Sequence, residues 1–185
     1  MKEEIFSDMK KRMGKSIESL GIELAGLRTG RASIGLLDGI KIDYYGTLTP
    51  LKQIASLSVP EIRSITIQPW DTSQIHAIEK AIMASDLGLT PSSDGKVVRI
   101  VLPQLTEQRR KELAKIARRF AEECKVSIRN IRRDANESLK KLEKDKKLSQ
   151  DELKKCQQDV QDFTDRETLK VEEIVAQKEA EIMEV

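Results

Sequence analysis

Nine basic side chains, Lys111, Lys115, Arg118, Lys125, Arg129, Arg132, Arg133, Lys140 and Lys144, are spaced so that a helix gathers them on one sector, since each residue turns the chain by about 100°. Only Glu122 and Asn136 interrupt that row, and Glu112, Glu123, Asp134 and Glu137 lie further round. At about 1.5 Å per residue the stripe runs for roughly 50 Å. An arginine fork can hold two phosphate oxygens at once, which a lysine ammonium cannot match. A helix that needs only solvation mixes its signs; one that sorts them suits an elongated anionic partner. The chemistry on offer is phosphate binding, with no bond made or broken.

No other constellation competes with it. The single histidine, His76, has no serine, cysteine or carboxylate at a catalytic spacing and reads as a surface residue. Thr29-Gly30-Arg31 lacks the repeated glycines of a phosphate loop, and no dinucleotide fingerprint occurs. Asp94-Gly95 reads as a turn, and the many carboxylates fall on solvated helix faces with no cleft to shift their titration. Cys124 and Cys156 occupy apolar seam positions and read as small buried core residues. Trp70, beside Pro69, reads as a packing anchor in preference to a base-stacking platform, and Tyr44-Tyr45 should place one ring in a core and the other at the surface. The expectation is a protein without enzymatic activity, cofactor or metal.

The formal charge of +2 conceals an uneven distribution. Residues 105–147 carry 15 basic and 8 acidic side chains, whereas 148–185 carry 5 and 11. Such asymmetry speaks of partners and helix pairing. Charged residues make up 35% of the 185 and aromatics 3%, a composition that favours helical bundles with aliphatic seams over a compact enzyme fold. No run of 18 apolar residues exists, which excludes a membrane-spanning helix. Met1-Lys2-Glu3-Glu4-Ile5 has neither a signal-peptide core nor the acid-poor character of a transit peptide. The expected location is the cytoplasm.

Three long helices must position the stripe. The first spans 2–28 with a seam of Ile5, Met9, Met13, Ile17, Leu20, Leu24 and Leu27. Its Gly14, Gly21 and Gly26 each cost about 0.8–1.0 kcal/mol relative to alanine, and close backbone approach is the expected reason for them. The second helix runs 107–146 behind Thr106, with Leu113, Ile116, Phe120, Cys124, Ile128, Ile131, Ala135, Leu139 and Leu142 on its seam, so that Arg132 faces outward. The third follows Ser149-Gln150-Asp151-Glu152, which has capping-box spacing, and buries Leu153, Cys156, Val160, Phe163, Val171, Ile174 and Ile182. Basic second and acidic third helices make complementary flanks.

Residues 31–104 have another character. Strands are expected at 40–45, 54–59, 62–68 and 97–102, with Pro60-Glu61 separating the middle pair and a helix over 72–85 carrying Ile75, Ile78 and Ile82. The fold class is α+β: a long antiparallel three-helix bundle formed by 1–30 and 105–185, with a small β/α/β domain at 31–104 inserted between two of its helices. Two chain crossings, Thr29-Gly30-Arg31 and Pro103-Gln104-Leu105, then form a hinge of restricted swing, and an L-shaped molecule is expected.

Leu27-Arg28-Thr29-Gly30-Arg31-Ala32, Tyr44-Tyr45-Gly46, Thr49-Pro50-Leu51, Glu79-Lys80-Ala81-Ile82, Ser85-Asp86-Leu87-Gly88-Leu89, Leu105-Thr106-Glu107 and the run Ile128 to Asn136 together resemble the ribosome recycling factor family, in order and over essentially the whole chain. The resemblance implies a monomeric factor that binds the intersubunit space of post-termination ribosomes. With elongation factor G and GTP it would separate the subunits, releasing messenger and transfer RNA. It places ribosomal-RNA contacts at Arg28, Arg31, Arg129, Arg132 and Arg133, with Lys111, Arg118 and Lys125 extending the stripe. Two other readings predict different behaviour: a helical adaptor would bind protein helices insensitively to salt, and a general RNA-binding protein would bind free RNA whatever its fold.

Overall fold

The computed structural model describes residues 1–184. In chain order the elements are α1 (Lys2–Ala25), β1 (Lys41–Tyr44), β2 (Thr47–Pro50), the single turn α2 (Leu51–Ile54), β3 (Ala55–Glu61), β4 (Ser64–Pro69), α3 (Ile75–Ala84), β5 (Pro91–Ser93), β6 (Val98–Val101), α4 (Glu107–Lys144) and α5 (Gln150–Glu184). They form two compact units, Met1–Arg28 with Gln108–Glu184, and Thr29–Glu107.

In the first unit α4 and α5 run antiparallel: Arg110 meets Met183, Lys125 meets Glu172 and Arg132 meets Gln161, one number rising as the other falls. Helix α1 runs against α4 in the same sense, through Arg12–Asp134 at 2.7 Å and Ser16–Ser127 at 2.9 Å. Lys10 of α1 lies over the Phe163 ring of α5. The buried seam of α4 is Leu113, Ala117, Ala121, Cys124, Ile128, Ile131, Ala135 and Leu139. Its first half is thus turned from the expected line: Ala117 and Ala121 are buried, while Ile116 and Phe120 are half-buried on the flank. Methyl-sized groups at the centre let neighbouring helices approach, and the bulky residues then cover the edge. The α5 seam departs too, since Thr164 and Glu167 are buried within it. Thr164 donates its hydroxyl to the Val160 carbonyl at 2.7 Å, and Glu167 accepts from Lys170 at 2.6 Å, so neither buried polar group lacks a partner.

The turn into α5 is a complete capping box. The Ser149 amide and hydroxyl both donate to Glu152 Oε2 at 2.9 Å, and the Glu152 amide donates back to Ser149 Oγ at 3.3 Å. Those donors, the backbone amide foremost, hold the Glu152 carboxyl below its ordinary value of 4.5.

In the second unit β1 and β2 form a hairpin, and the other strands form an antiparallel sheet in the order β3-β4-β6-β5. Helix α3 lays Ile75, Ile78 and Ile82 on a core with Ile65, Ile67, Val98 and Ile100, each burial contributing about 1.5–3 kcal/mol. Pro60-Glu61 does not separate two strands as expected; it lies within β3, and the turn is Ile62-Arg63. A proline is tolerated there because β3 is an edge strand, with its register shifted between Ser58 and Glu61. The three-residue β5 and the strand β2 carry too little apolar pattern to be read from sequence.

The glycines of α1 have another explanation than the one expected. A methyl group on Gly14 or Gly21 would meet nothing within 4 Å, so no neighbouring backbone requires them. Gly14→Ala and Gly21→Ala should each stabilise the helical unit by about 0.8–1.0 kcal/mol, seen as a higher urea midpoint of the 222 nm circular dichroism. A lower midpoint would mean that these positions are closely packed after all. Because the Glu152 carboxyl titrates lower when folded, its stabilisation is fully present above pH 4.5 and fades as the pH falls through the lowered value. The stability gap between the parent and Glu152→Ala should therefore be constant at neutral pH and close in acid.

Candidate nucleic-acid interface

Helix α4 is continuous for 38 residues, about 57 Å at 1.5 Å per residue, so its basic side chains keep fixed relative directions. The single stripe read from sequence separates into two rows. The inner row turns towards α5: Arg118 bonds Glu179, Lys125 reaches Glu172 Oε1 at 3.0 Å, and Arg132 donates to Gln161 Oε1 at 3.2 Å. Arg110, one step earlier on the same line, donates to the Met183 carbonyl at 3.4 Å. The Glu179 carboxylate also raises the Arg118 guanidinium above its ordinary value, first through their hydrogen bond and then through its charge. At steps of seven and eight residues, this row is the cationic half of the helix pairing.

Arg132 therefore corrects the expectation of an outward side chain. It is half-buried and engaged with α5. A sequence signal existed: Gln161, Glu172 and Glu179 are spaced at 11 and 7 residues, which puts them on one face of the third helix.

The outer row lies further round α4. Arg133 is exposed, and its guanidinium has no partner among the described residues. Arg129 is also exposed and donates to Glu122 Oε1 at 3.0 Å, two turns back along the same helix. This neighbour orients the fork and partly neutralises it, so a phosphate at Arg129 must compete with Glu122. Lys115, Lys140 and Lys144 continue the exposed row, as does Lys111 near the start of the helix. An exposed ion pair such as Arg129–Glu122 adds little to stability, which leaves the guanidinium available to a stronger anion.

Arg28 is exposed after the end of α1 and belongs to the helical unit. It is not gathered with the others: α1 runs against α4, with Arg12 already opposite Asp134, so Arg28 lies towards the start of α4, far from Arg129 and Arg133. Arg31 belongs to the second unit. Of the residues at the two crossings, Thr29 is buried and Gly30 has φ 74°. The Ala32 amide donates to the Ile62 carbonyl at 2.6 Å, and the Leu102 amide to the Arg63 carbonyl at 2.8 Å. Both crossings are thereby rooted on the one turn between β3 and β4, outside which Pro103 and Gln104 are exposed and Leu105 half-buried.

Other candidate groups fall elsewhere. His76 is exposed beside Glu79, and both cysteines are free and buried, with burial raising the Cys124 thiol. Tyr44 packs on the small core and Tyr45 stands in solvent, as the alternation implied. Trp70 is no packing anchor: it is 73% exposed. Among the described residues no group of three His, Cys, Asp or Glu side chains is placed to hold a metal ion.

The division into rows has a stability consequence. Arg132→Ala should cost about 1 kcal/mol through the lost hydrogen bond and packing, whereas Arg133→Ala should leave the urea midpoint unchanged. Equal effects of the two would mean that α4 is rotated from the orientation described.

Comparison with known proteins adds the following. The family model for ribosome recycling factor matches residues 20–183. A ribosome-recycling factor from Nitratidesulfovibrio vulgaris is 58% identical, covering 99% of this chain and 98% of its own, and one from Syntrophus aciditrophicus is 57% identical over the whole of both. A solution structure of the ribosome recycling factor is similar with a TM-score of 0.75 and 43% identity, covering 100% of this chain and 98% of the other. A second similar structure, with a TM-score of 0.65, 46% identity and 98% of both chains covered, belongs to models of the T. thermophilus ribosome recycling factor and the E. coli elongation factor G bound to the E. coli post-termination complex.

Proposed function

The chain belongs to the ribosome recycling factor family, whose members are non-enzymatic translation factors, and from that premise we propose how its surfaces perform ribosome recycling. The protein acts with elongation factor G on ribosomes that have finished a chain. The nucleotide, GTP, is hydrolysed by the elongation factor, and the subunits then part to release messenger and transfer RNA. The setting is the cytoplasm, where the factor works as a monomer.

The observation that carries the binding reading is the outer row of α4, with Arg133 unpartnered and Arg129 tied only to an exposed carboxylate. These forks, with Lys115 and Lys140 beside them, hold phosphates of large-subunit ribosomal RNA. Arg132, committed to Gln161, supports the row from within, and Arg118 and Lys125 serve the pairing with α5 first. Arg28 and Arg31 make separate contacts near the crossings. Residues 29–31 and 103–106 act as the pivot, because Ala32 and Leu102 are already fastened to the small sheet.

The experiment that tests the function is light scattering of post-termination ribosomes mixed with elongation factor G, GTP and this protein. Scattering should fall only when all are present; no fall with a folded protein and an active elongation factor would overturn recycling. Ribosome affinity measured against salt then tests the site. Arg133→Ala and Arg129→Ala should each weaken binding and reduce the slope of log affinity on log salt by about 1. Arg118→Ala should leave that slope unchanged. A slope insensitive to every outer-row variant would favour the protein-binding adaptor.

A further inference from the structure

The hairpin between β1 and β2 is unused by the reading above. Its two-residue loop is Tyr45-Gly46, with φ 50° and 85°, the positive values that two-residue hairpins favour. For glycine such backbone is ordinary; for a bulky side chain it is an outlier. Burial does not compensate, since Tyr45 is 76% exposed. Yet the ring is held firmly. It stands edge-on to Tyr44 with centroids 4.7 Å apart, and its hydroxyl donates to Asp71 Oδ2 at 3.1 Å. The Gly46 amide fixes the loop by donating to Asp43 Oδ1 at 2.9 Å, and the Ser73 amide fixes Asp71 by donating to Oδ1 at 2.9 Å. The next residue back, Trp70, is also largely exposed.

Charge decides what such a point can receive. Residues 42–51 and 64–75, which carry both rings, contain Asp43 and Asp71 and no lysine or arginine. Hydrogen bonds from Ser73, with a smaller one from Tyr45, hold the Asp71 carboxyl below its ordinary value and keep it ionised. The local field therefore repels the phosphates that the outer row of α4 attracts. Exposed aromatic faces beside fixed carboxylates suit a cation, and a guanidinium suits them better than an ammonium because it stacks on a ring while bonding a carboxylate. A strained, exposed and pre-ordered side chain marks a contact made by the folded protein with something else.

We propose that the hairpin tip, Tyr45 with Asp43 and Asp71 and Trp70 alongside, is a docking point for an arginine-bearing segment of a protein partner. It concerns the second unit alone and does not depend on the ribosomal-RNA contacts assigned to α4.

Trp70 is the chain's only tryptophan, so its emission in the full-length protein reports directly on this surface. Triarginine amide, trilysine amide and hexauridylate are the probes. Triarginine should change the emission saturably and bind more tightly than trilysine. Asp71→Asn and Tyr45→Asn should each weaken it by about threefold, the scale of one exposed cation–ring contact. Asparagine accepts left-handed backbone, so Tyr45→Asn keeps the hairpin, and unchanged circular dichroism verifies that. Saturation by hexauridylate in place of triarginine would overturn the proposal in favour of a base-stacking platform. Equal affinity for trilysine, no response to triarginine, or an unchanged affinity in both variants would also overturn it.

Discussion

Everything in the helical unit depends on the antiparallel packing of α4 between α1 and α5. A single α-helix allows no independent choice of where its side chains point: once Leu113, Ala117, Ala121, Cys124, Ile128, Ile131, Ala135 and Leu139 are buried, every other direction is fixed by 100° steps. Asp134 and Ser127 then face α1, Lys125 and Arg132 face α5, and Arg129 and Arg133 face solvent. The alanines at 117 and 121 matter because methyl groups at the centre of the seam bring the helices together, which puts the inner row within hydrogen-bonding distance of α5. The outer row is what that packing leaves over.

The same packing explains the opposed charges of α4 and α5. Exposed ion pairs each add little to stability, so the hydrophobic seam holds the bundle together. What the pairs contribute is discrimination. Arg118 with Glu179, and Lys125 with Glu172, are satisfied together only when the two helices run oppositely at one register, and sliding either helix brings like charges closer. A formal charge of +2 is thus the residue of an internal cancellation plus an uncancelled outer row. Net charge alone could not have located an anion-binding face on this protein.

Sequence pattern revealed the helices and the apolar faces, because 3.6-residue periodicity over 24 to 38 residues is hard to mistake. It did not fix the rotation of α4 within its face. Ile116 and Phe120 outweigh Ala117 and Ala121 on any hydrophobicity count, yet the geometry of three close helices buries the smaller pair. Nor could it divide the basic stripe, since the division depends on Gln161, Glu172 and Glu179 arriving from another part of the chain. In the small unit the long alternations were legible, but Pro60 misled because an edge strand with a bulge accepts what a central strand refuses. Trp70 misled for the opposite reason: its hydrophobicity implies burial, and only the fold reveals that Gln68 and Trp70 share the open side of β4 while Ile67 and Pro69 face the core.

The two chain crossings raise a mechanical question that packing answers. A domain inserted into a helical bundle is joined at two places, and its freedom depends on where those joins are rooted. Here Ala32 and Leu102 donate to the carbonyls of Ile62 and Arg63, consecutive residues of one turn. That turn closes β3 onto β4, and β4 is a central strand paired on both sides. Force applied anywhere on the small sheet must therefore leave it through a single well-braced point. Two tethers with a common root resist translation while leaving rotation to the few residues beyond them. Gly30, with φ 74°, and Pro103, whose nitrogen has no proton to donate, are suited to that position. A single tether would transmit pull but not direction, whereas a pair rooted on separate strands would tear the sheet before it turned.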